Sequence, residues 1–297
     1  MRKKHASITD NAKLMARVRL RILSDRTTIG SPDKTQISHP PRKSRLANAS
    51  EYEMPMQGKI SVIIPTLNEE HTIAETLKSI PRSALSEMGY AVEVIVVDGR
   101  STDATRELAA AGGARVIIEP RKGYGIPIRT GVLNSHGDII AKADGDWTYP
   151  LEKLPELLNV LESKNLDFIC TDRLSTLHSE SMSLRNRVGN KILVLGVRIV
   201  FGLHLKDSQS GMWIIRRTAW DRLVLKRNLS FSQELKIEAI HYARLRSEQI
   251  PILYRSRVGK AKYGNWRVGI LLIVALLSLR FRCSHSRPVE YQSDKIV

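Results

Sequence analysis

Cysteine is nearly absent: Cys170 and Cys283 are the only two in 297 residues, widely spaced, which excludes a disulfide framework and fits a reducing compartment. Long apolar runs are missing too. The longest clean one, residues 268–279, would make a helix about 18 Å long at ~1.5 Å per residue, against a hydrocarbon core of about 30 Å. A second apolar stretch, residues 192–205, is interrupted by Arg198 and His204. No spanning helix is expected, and no apolar run follows Arg2-Lys3-Lys4, so no signal peptide is expected either. Neither C2H2 zinc spacing nor an RNP-type aromatic motif is present, which speaks against a nucleic-acid partner. Acidic residues fall well short of basic ones, 30 against 47, leaving a formal charge of +17.

That excess is spread along the chain. Residues 1–57 hold 12 Lys/Arg against 5 Asp/Glu, and the rest carries the remaining excess. A surface this basic attracts polyanions such as anionic lipid head groups or phosphorylated substrates. Residues 1–57 mix Lys, Arg, Ser, Thr, Asn and Pro without a sustained period, so they are expected to be mostly disordered, with a short basic helix around 14–23.

The pattern changes at Lys59. Ile60-Ser61-Val62-Ile63-Ile64-Pro65 is a short apolar run ended by proline, the signature of a buried strand. Residues 69–80 have helical spacing. Residues 92–98 make a second strand, after which Ser101-Thr102-Asp103 caps a helix reaching Ala111. Residues 114–118 read as a third strand, 128–135 as a helix and 138–144 as a fourth strand. Strands alternating with helices at this spacing predict an α/β fold, a mostly parallel sheet with helices on both faces. Ligands of such sheets bind beyond the carboxyl ends of the strands. Those ends carry Asn68-Glu69, Asp98 and Asp144-Gly145-Asp146. Two carboxylates one residue apart at a strand end can converge on one hard cation, Mg2+ or Mn2+, which would neutralise a departing diphosphate. A bland polar turn is the alternative for Asp144-Gly145-Asp146, and a helix cap or helix start for Asp98, Asp103 and Glu69. A nicotinamide-binding Rossmann enzyme does not fit, because Pro65-Thr66-Leu67-Asn68 replaces the Gly-rich phosphate turn.

Taken in order, Val62-Ile63-Ile64-Pro65-Thr66-Leu67-Asn68-Glu69, then Val96-Val97-Asp98-Gly99-Arg100-Ser101-Thr102-Asp103, then Asp144-Gly145-Asp146, the chain resembles family 2 glycosyltransferases of the GT-A fold, from about Lys59 to Leu279. The resemblance implies that Pro65, Glu69 and Asp98 frame a nucleotide base and that Asp144 and Asp146 hold the metal and diphosphate. Asp207-Ser208-Gln209-Ser210-Gly211 is similar to the Asp-x-x-Ser-Gly segment of dolichyl-phosphate mannose synthases and related polyprenyl-phosphate hexosyltransferases. That likeness implies transfer of mannose or glucose from GDP-mannose or UDP-glucose to a polyprenyl or dolichyl phosphate, with inversion. Arg173, Arg185 and Arg257 match the arginines that hold the acceptor phosphate, and Glu234, in Phe231-Ser232-Gln233-Glu234, matches an acidic helix near the acceptor. Asp146, Asp207 and Glu234 are the implied catalytic residues. The chain departs from the pattern at Gly99, where a second acid is frequent, at Thr148 in place of Gln, and at Gly189 in place of an acceptor-binding Ser.

The expected organisation is a basic tail over 1–57, a GT-A domain over 58–264, and an interfacial apolar helix with a polar tail over 265–297. The expected setting is the cytosolic face of a membrane, peripheral or monotopic, against an anionic lipid surface. A family 2 transferase extending a polysaccharide or glycolipid would share every donor-site residue, and a catalytically idle interaction protein is the more distant alternative.

Overall fold

The computed structural model describes residues 57–176, 182–258 and 266–281. Residues 1–56 of the expected basic tail, with its short helix, and Cys283 lie outside them.

The sheet is built around strand β1 (Gly58–Thr66), whose residues 60–64 are all buried. A run this apolar, interrupted only by Ser61, is what a strand covered on both faces requires. It pairs in parallel with β2 (Tyr90–Asp98) on one side and with β4 (Ile139–Lys142) on the other. Strand β3 (Arg115–Ile118) lies beyond β2. Past β4 come β6 (Trp213–Arg216), β5 (Phe168–Asp172) and β7 (Ser247–Pro251), giving seven strands in the order β3-β2-β1-β4-β6-β5-β7.

Side chains of β1 alternate between two cores. Ile60, Val62 and Ile64 enter one that includes Ile73, Leu77, Leu85 and Leu158. These come from helices α1 (Ile73–Lys78), α2 (Arg82–Glu87) and α5 (Leu154–Ser163). Ile63 enters the other, with Ile128 of α4 (Gly125–Leu133) and Phe231 and Leu235 of α8 (Phe231–Ile237). Helix α3 (Thr105–Ala111) adds Ala109 to the first core, and the short α7 (Arg217–Trp220) adds Ala219 to the second. A third cluster, Val197, Phe201, Ile237, Leu276 and Leu279, joins α8 to α6 (Leu184–Phe201) and α9 (Trp266–Arg280). Among the described residues no helix is long and apolar enough to cross a membrane.

One helix boundary departs from the sequence reading. The helix expected from Ser101 starts at Thr105: Ser101 and Thr102 bind Asn68 in the loop after β1, while Asp103 accepts both the Glu70 N–H of that loop and the Thr105 N–H at the helix start. Strand β6 is antiparallel to both neighbours. That reversal places the loop entering β6, residues 207–211, at the same sheet edge where β1, β2, β4, β5 and β7 end. The motifs at residues 65–69, 98–103, 144–146 and 207–211 therefore border one end of the sheet.

Candidate functional site

Three strand-end loops each contain a non-glycine residue with left-handed backbone: Asn68 at φ 51°, Arg100 at φ 66° and Trp147 at φ 57°. Such residues persist where the surroundings hold them, and they cluster at functional sites. The first two loops are tied together. Asn68 N–H donates to Ser101 Oγ at 2.8 Å, and Thr102 N–H donates to Asn68 Oδ1 at 2.9 Å. Pro65 is half-buried at the end of β1, and Glu69 accepts the N–H groups of Thr72 and Ile73 on its carbonyl, starting the helical turn. Asp98 is fully buried. Its carboxylate accepts from Ser101 N–H at 2.8 Å, from the Ser101 hydroxyl and from the Thr66 hydroxyl at 3.3 Å. In this conformation Asp98 closes its own turn, the cap-like alternative.

The paired aspartates stand on a turn clamped from below. The Gly145 carbonyl accepts from the hydroxyls of Thr72 at 2.9 Å and Thr76 at 3.1 Å. A Cβ at Gly145 would come within 2.7 Å of Thr66 Cγ2, so only glycine allows this approach. Asp146 Oδ1 accepts from the Thr148 hydroxyl at 2.6 Å, and Asp146 Oδ2 pairs with Arg257 Nη2 at 2.7 Å. Asp144 Oδ1 pairs with Nζ of Lys142, a lysine with no solvent exposure that also donates to the Tyr124 hydroxyl at 2.9 Å. Burial pushes the Asp144 carboxyl up, but Lys142, Arg257 and Arg173 outweigh it and hold the group below its usual range. A Cβ at Gly211 would stand 3.0 Å from Asp144 Oδ2, 3.0 Å from the Tyr124 hydroxyl and 3.1 Å from Lys142 Nζ. Glycine thus brings the 207–211 loop onto this trio without covering it with a side chain.

That loop is organised by buried ions. Asp207, with no exposure, accepts from Arg173 Nε at 2.7 Å and Nη2 at 3.1 Å, and from the N–H groups of Gln209 and Ser210 at 2.9 and 3.0 Å. Burial alone would raise the Asp207 carboxyl, yet Arg173 and the other donors bring it down to about 2. Asp207 therefore holds a loop and an arginine, and in this geometry both its oxygens are occupied. Lys236 of α8, also fully buried, donates to the carbonyls of Ser208 at 3.2 Å and Ser210 at 2.8 Å. Burial pushes its ammonium down to about 8. Glu234 is buried on the same helix, where its carboxylate accepts the backbone N–H groups of Lys226 at 3.1 Å and Arg227 at 2.8 Å. These bonds give it a loop-holding part.

Of the three arginines matched to an acceptor phosphate, Arg257 sits against Asp146 and Arg173 against Asp207, with the Arg173 guanidinium 5.3 Å from the Tyr254 ring centroid. Arg185 stands exposed on the first turn of α6. Gly189 has open space where a Cβ would stand, so a serine there would be accommodated. Arg255, which sequence reasoning passed over, donates to the Tyr149 carbonyl at 3.2 Å, pairs with Glu152 and lies 5.0 Å from the Trp147 ring centroid. Lys142, Tyr124 and Lys236 were also missed. Lys142 did leave a signal, a lysine in the apolar run Ile139-Ile140-Ala141, since an internal strand rarely buries a lysine without a partner.

Residues 61–223 match the family described as glycosyl transferase family 2. The chain belongs to that family. Among its relatives, the low-salt glycan biosynthesis hexosyltransferase Agl6 of Haloferax volcanii is 37% identical over 213 residues, 71% of this chain and 51% of that protein. The chain thus spans about half the length of this relative. A dolichyl-phosphate hexose transferase of the same organism is 32% identical over 227 residues, 75% of this chain and 96% of its own. Glucosyl-3-phosphoglycerate synthase from Mycobacterium tuberculosis, solved with uridine diphosphate, superimposes with a TM-score of 0.63 at 24% identity, covering 78% of this chain and 88% of that one. At that identity the likeness is one of fold, and the fold is GT-A.

Proposed function

We propose that this family 2 protein transfers a hexose from a nucleotide sugar to a polyprenyl phosphate at a membrane surface. The observation that carries the reading is the pairing of Arg257 with Asp146 at 2.7 Å. It sets a phosphate-type cation directly beside the aspartate pair at the edge where GT-A sheets bind their donors. The relative named as a dolichyl-phosphate hexose transferase supports the same acceptor class.

A divalent cation fits the residues present. Asp144 Oδ2 lies outside the Lys142 pair and beside the side-chain-free Gly211, while Asp146 Oδ1 accepts from Thr148 and Oδ2 pairs with Arg257, an arginine a cation would displace from Asp146. Asp144 and Asp146 would hold Mg2+ or Mn2+, which supplies charge neutralisation for the departing diphosphate. The chain's own residues do the rest by positioning. Asp98, Asn68 and Ser101 fix the pocket for the base, while Arg257 and Arg173 present guanidinium groups near the phosphates. A lipid phosphate is already ionised near neutral pH, so no dedicated general base is required. Direct attack by its oxygen on the anomeric carbon inverts that centre.

The membrane reading rests on α6 and α9. Leu184, Val188, Ile192, Leu195 and Ile199 form an exposed stripe at helical spacing along α6, and Ile270, Leu271, Val274 and Leu277 are exposed on α9. Exposed Lys191, Arg198 and Arg280 share these helices. An apolar face edged with basic residues suits an anionic lipid interface.

The test is incubation of purified protein in detergent with labelled GDP-mannose and UDP-glucose against polyprenyl phosphates, neutral polyprenols and free sugars. Metal-dependent labelling of polyprenyl phosphate alone is the expected result. Equal labelling of a neutral acceptor would replace the lipid-phosphate reading with transfer onto a polysaccharide or glycolipid.

A further inference from the structure

Lys142 is the most conspicuous ionisable group that the fold places beside the aspartate pair. It stands on β4 between Ile63 of β1 and Trp213 of β6, and it is fully buried. Burying an ammonium is costly unless partners hold it. Here Nζ pairs with Asp144 Oδ1, donates to the Tyr124 hydroxyl at 2.9 Å and lies 5.0 Å from the Tyr124 ring centroid. Tyr124 is anchored in turn at the start of α4, with its hydroxyl 3.5 Å from Ser232 Oγ of α8. The lysine is thus fixed by a strand, a helix start and a neighbouring helix, and it reaches Asp144 by one oxygen only. The Asp144 side chain keeps 22% exposure, and its Oδ2, outside the Lys142 pair, faces the side-chain-free Gly211.

We propose that Lys142, braced by Tyr124, is a positioning residue that locks Asp144 into offering a single oxygen, Oδ2, to a divalent cation. This rests on the reading of Asp144 and Asp146 as the cation site. A carboxylate limited to one oxygen suits the small octahedral ions Mg2+ and Mn2+, whereas Ca2+ readily takes carboxylates by both oxygens. Lys142 therefore favours the former over the latter.

Titration of Mn2+ by its electron paramagnetic resonance signal, with UDP and separately with GDP present, tests the proposal in full-length protein. Loss of a partner that orients a metal ligand lowers affinity roughly 10–100-fold, and Lys142→Met should do so here, with competition by Ca2+ becoming relatively stronger. If Lys142 acted only as a like charge near the cation, its removal would tighten Mn2+ binding, and that result would overturn the proposal. Tyr124→Phe keeps the lysine and removes its brace, so it should weaken Mn2+ binding in the same direction by a smaller factor. Should Lys142→Met fail to fold, unchanged Mn2+ affinity in Tyr124→Phe overturns the proposal by itself. Failure of the wild type to bind Mn2+ with either nucleotide would overturn the cation reading beneath it. Normal wild-type binding with an unchanged Lys142→Met variant would overturn the role of Lys142 alone.

Discussion

Charged side chains at this site come in partnered sets: Asp144 with Lys142, Asp146 with Arg257, Asp207 with Arg173. They differ in depth, and that decides what each substitution does. Arg257 keeps 31% of its side chain exposed, so its removal should change binding more than folding. Losing a charge-assisted contact to phosphate costs about 1.5–3 kcal/mol, or roughly ten- to a hundred-fold in kcat/KM. Arg257→Ala should show that loss with a polyprenyl phosphate acceptor while slow donor hydrolysis changes much less. Arg257→Lys should recover part of it, because an ammonium lacks the planar fork. A defect confined to donor binding would place Arg257 on the nucleotide diphosphate instead. The Arg173–Asp207 pair is buried on both sides, and Asp207 also caps Gln209 and Ser210. Breaking a buried pair by removing one partner destabilises by about 3–5 kcal/mol. Asp207→Asn should therefore lower Tm, and a variant with unaltered Tm and no activity would return Asp207 to a directly catalytic part.

Between elements, two carboxylates act as fasteners. Glu93 on β2 accepts from the Ser61 hydroxyl of β1 and from the N–H of His136, each at 2.5 Å, while Glu119 after β3 accepts from the Arg121 guanidinium and, at 2.5 Å, from the Thr130 hydroxyl of α4. Burial works against the Glu93 carboxylate, but its donors and Lys59 bring it down to about 2. Arg121 above all brings Glu119 to about 2. Both folded values lie below the ordinary 4.5, so the stability they contribute is complete above about 4.5 and is lost as pH falls toward about 2. Glu119→Gln should lower Tm near neutral pH, and its deficit against the wild type should shrink across that acid window in thermal melts. The α6–α9 pair belongs to the same scale. Replacing Leu195 and Ile199 with Asp should reduce pelleting with anionic vesicles and leave activity on a short, soluble prenyl phosphate nearly unchanged. Equal pelleting would move the lipid contact elsewhere.

For the molecule as a whole, charge is the dominant property. A formal charge of +17 is the sign that anionic surfaces attract, and residues 1–57 hold a large share of it. Deleting residues 1–55 should reduce binding to anionic liposomes, more at low than at high salt, and leave transfer in detergent largely intact, since the strand-end motifs all come later. Loss of transfer in detergent would make the tail part of the working enzyme.

The sequence by itself determined the parallel half of the sheet and the identity of its strand-end acids. Those features are written in local patterns: apolar runs such as Ile60–Ile64, a proline or acidic stop, and helical spacing in between. The need for glycine at Gly145 and Gly211 came from the packed structure, where a Cβ would meet Thr66 and Asp144. Only the tertiary structure decided what the charges do. Asp98 turned inward to Ser101 and Glu234 to a backbone turn, because nearby N–H and O–H donors satisfied them first. Antiparallel β6 and the pairings of Arg173 with Asp207, Arg257 with Asp146 and Lys142 with Asp144 bring together residues that no period relates. Partner choice for a buried charge depends on the nearest group across the fold, and strand direction depends on which edge the preceding loop reaches. Both are properties of the packed chain, absent from any local window of sequence.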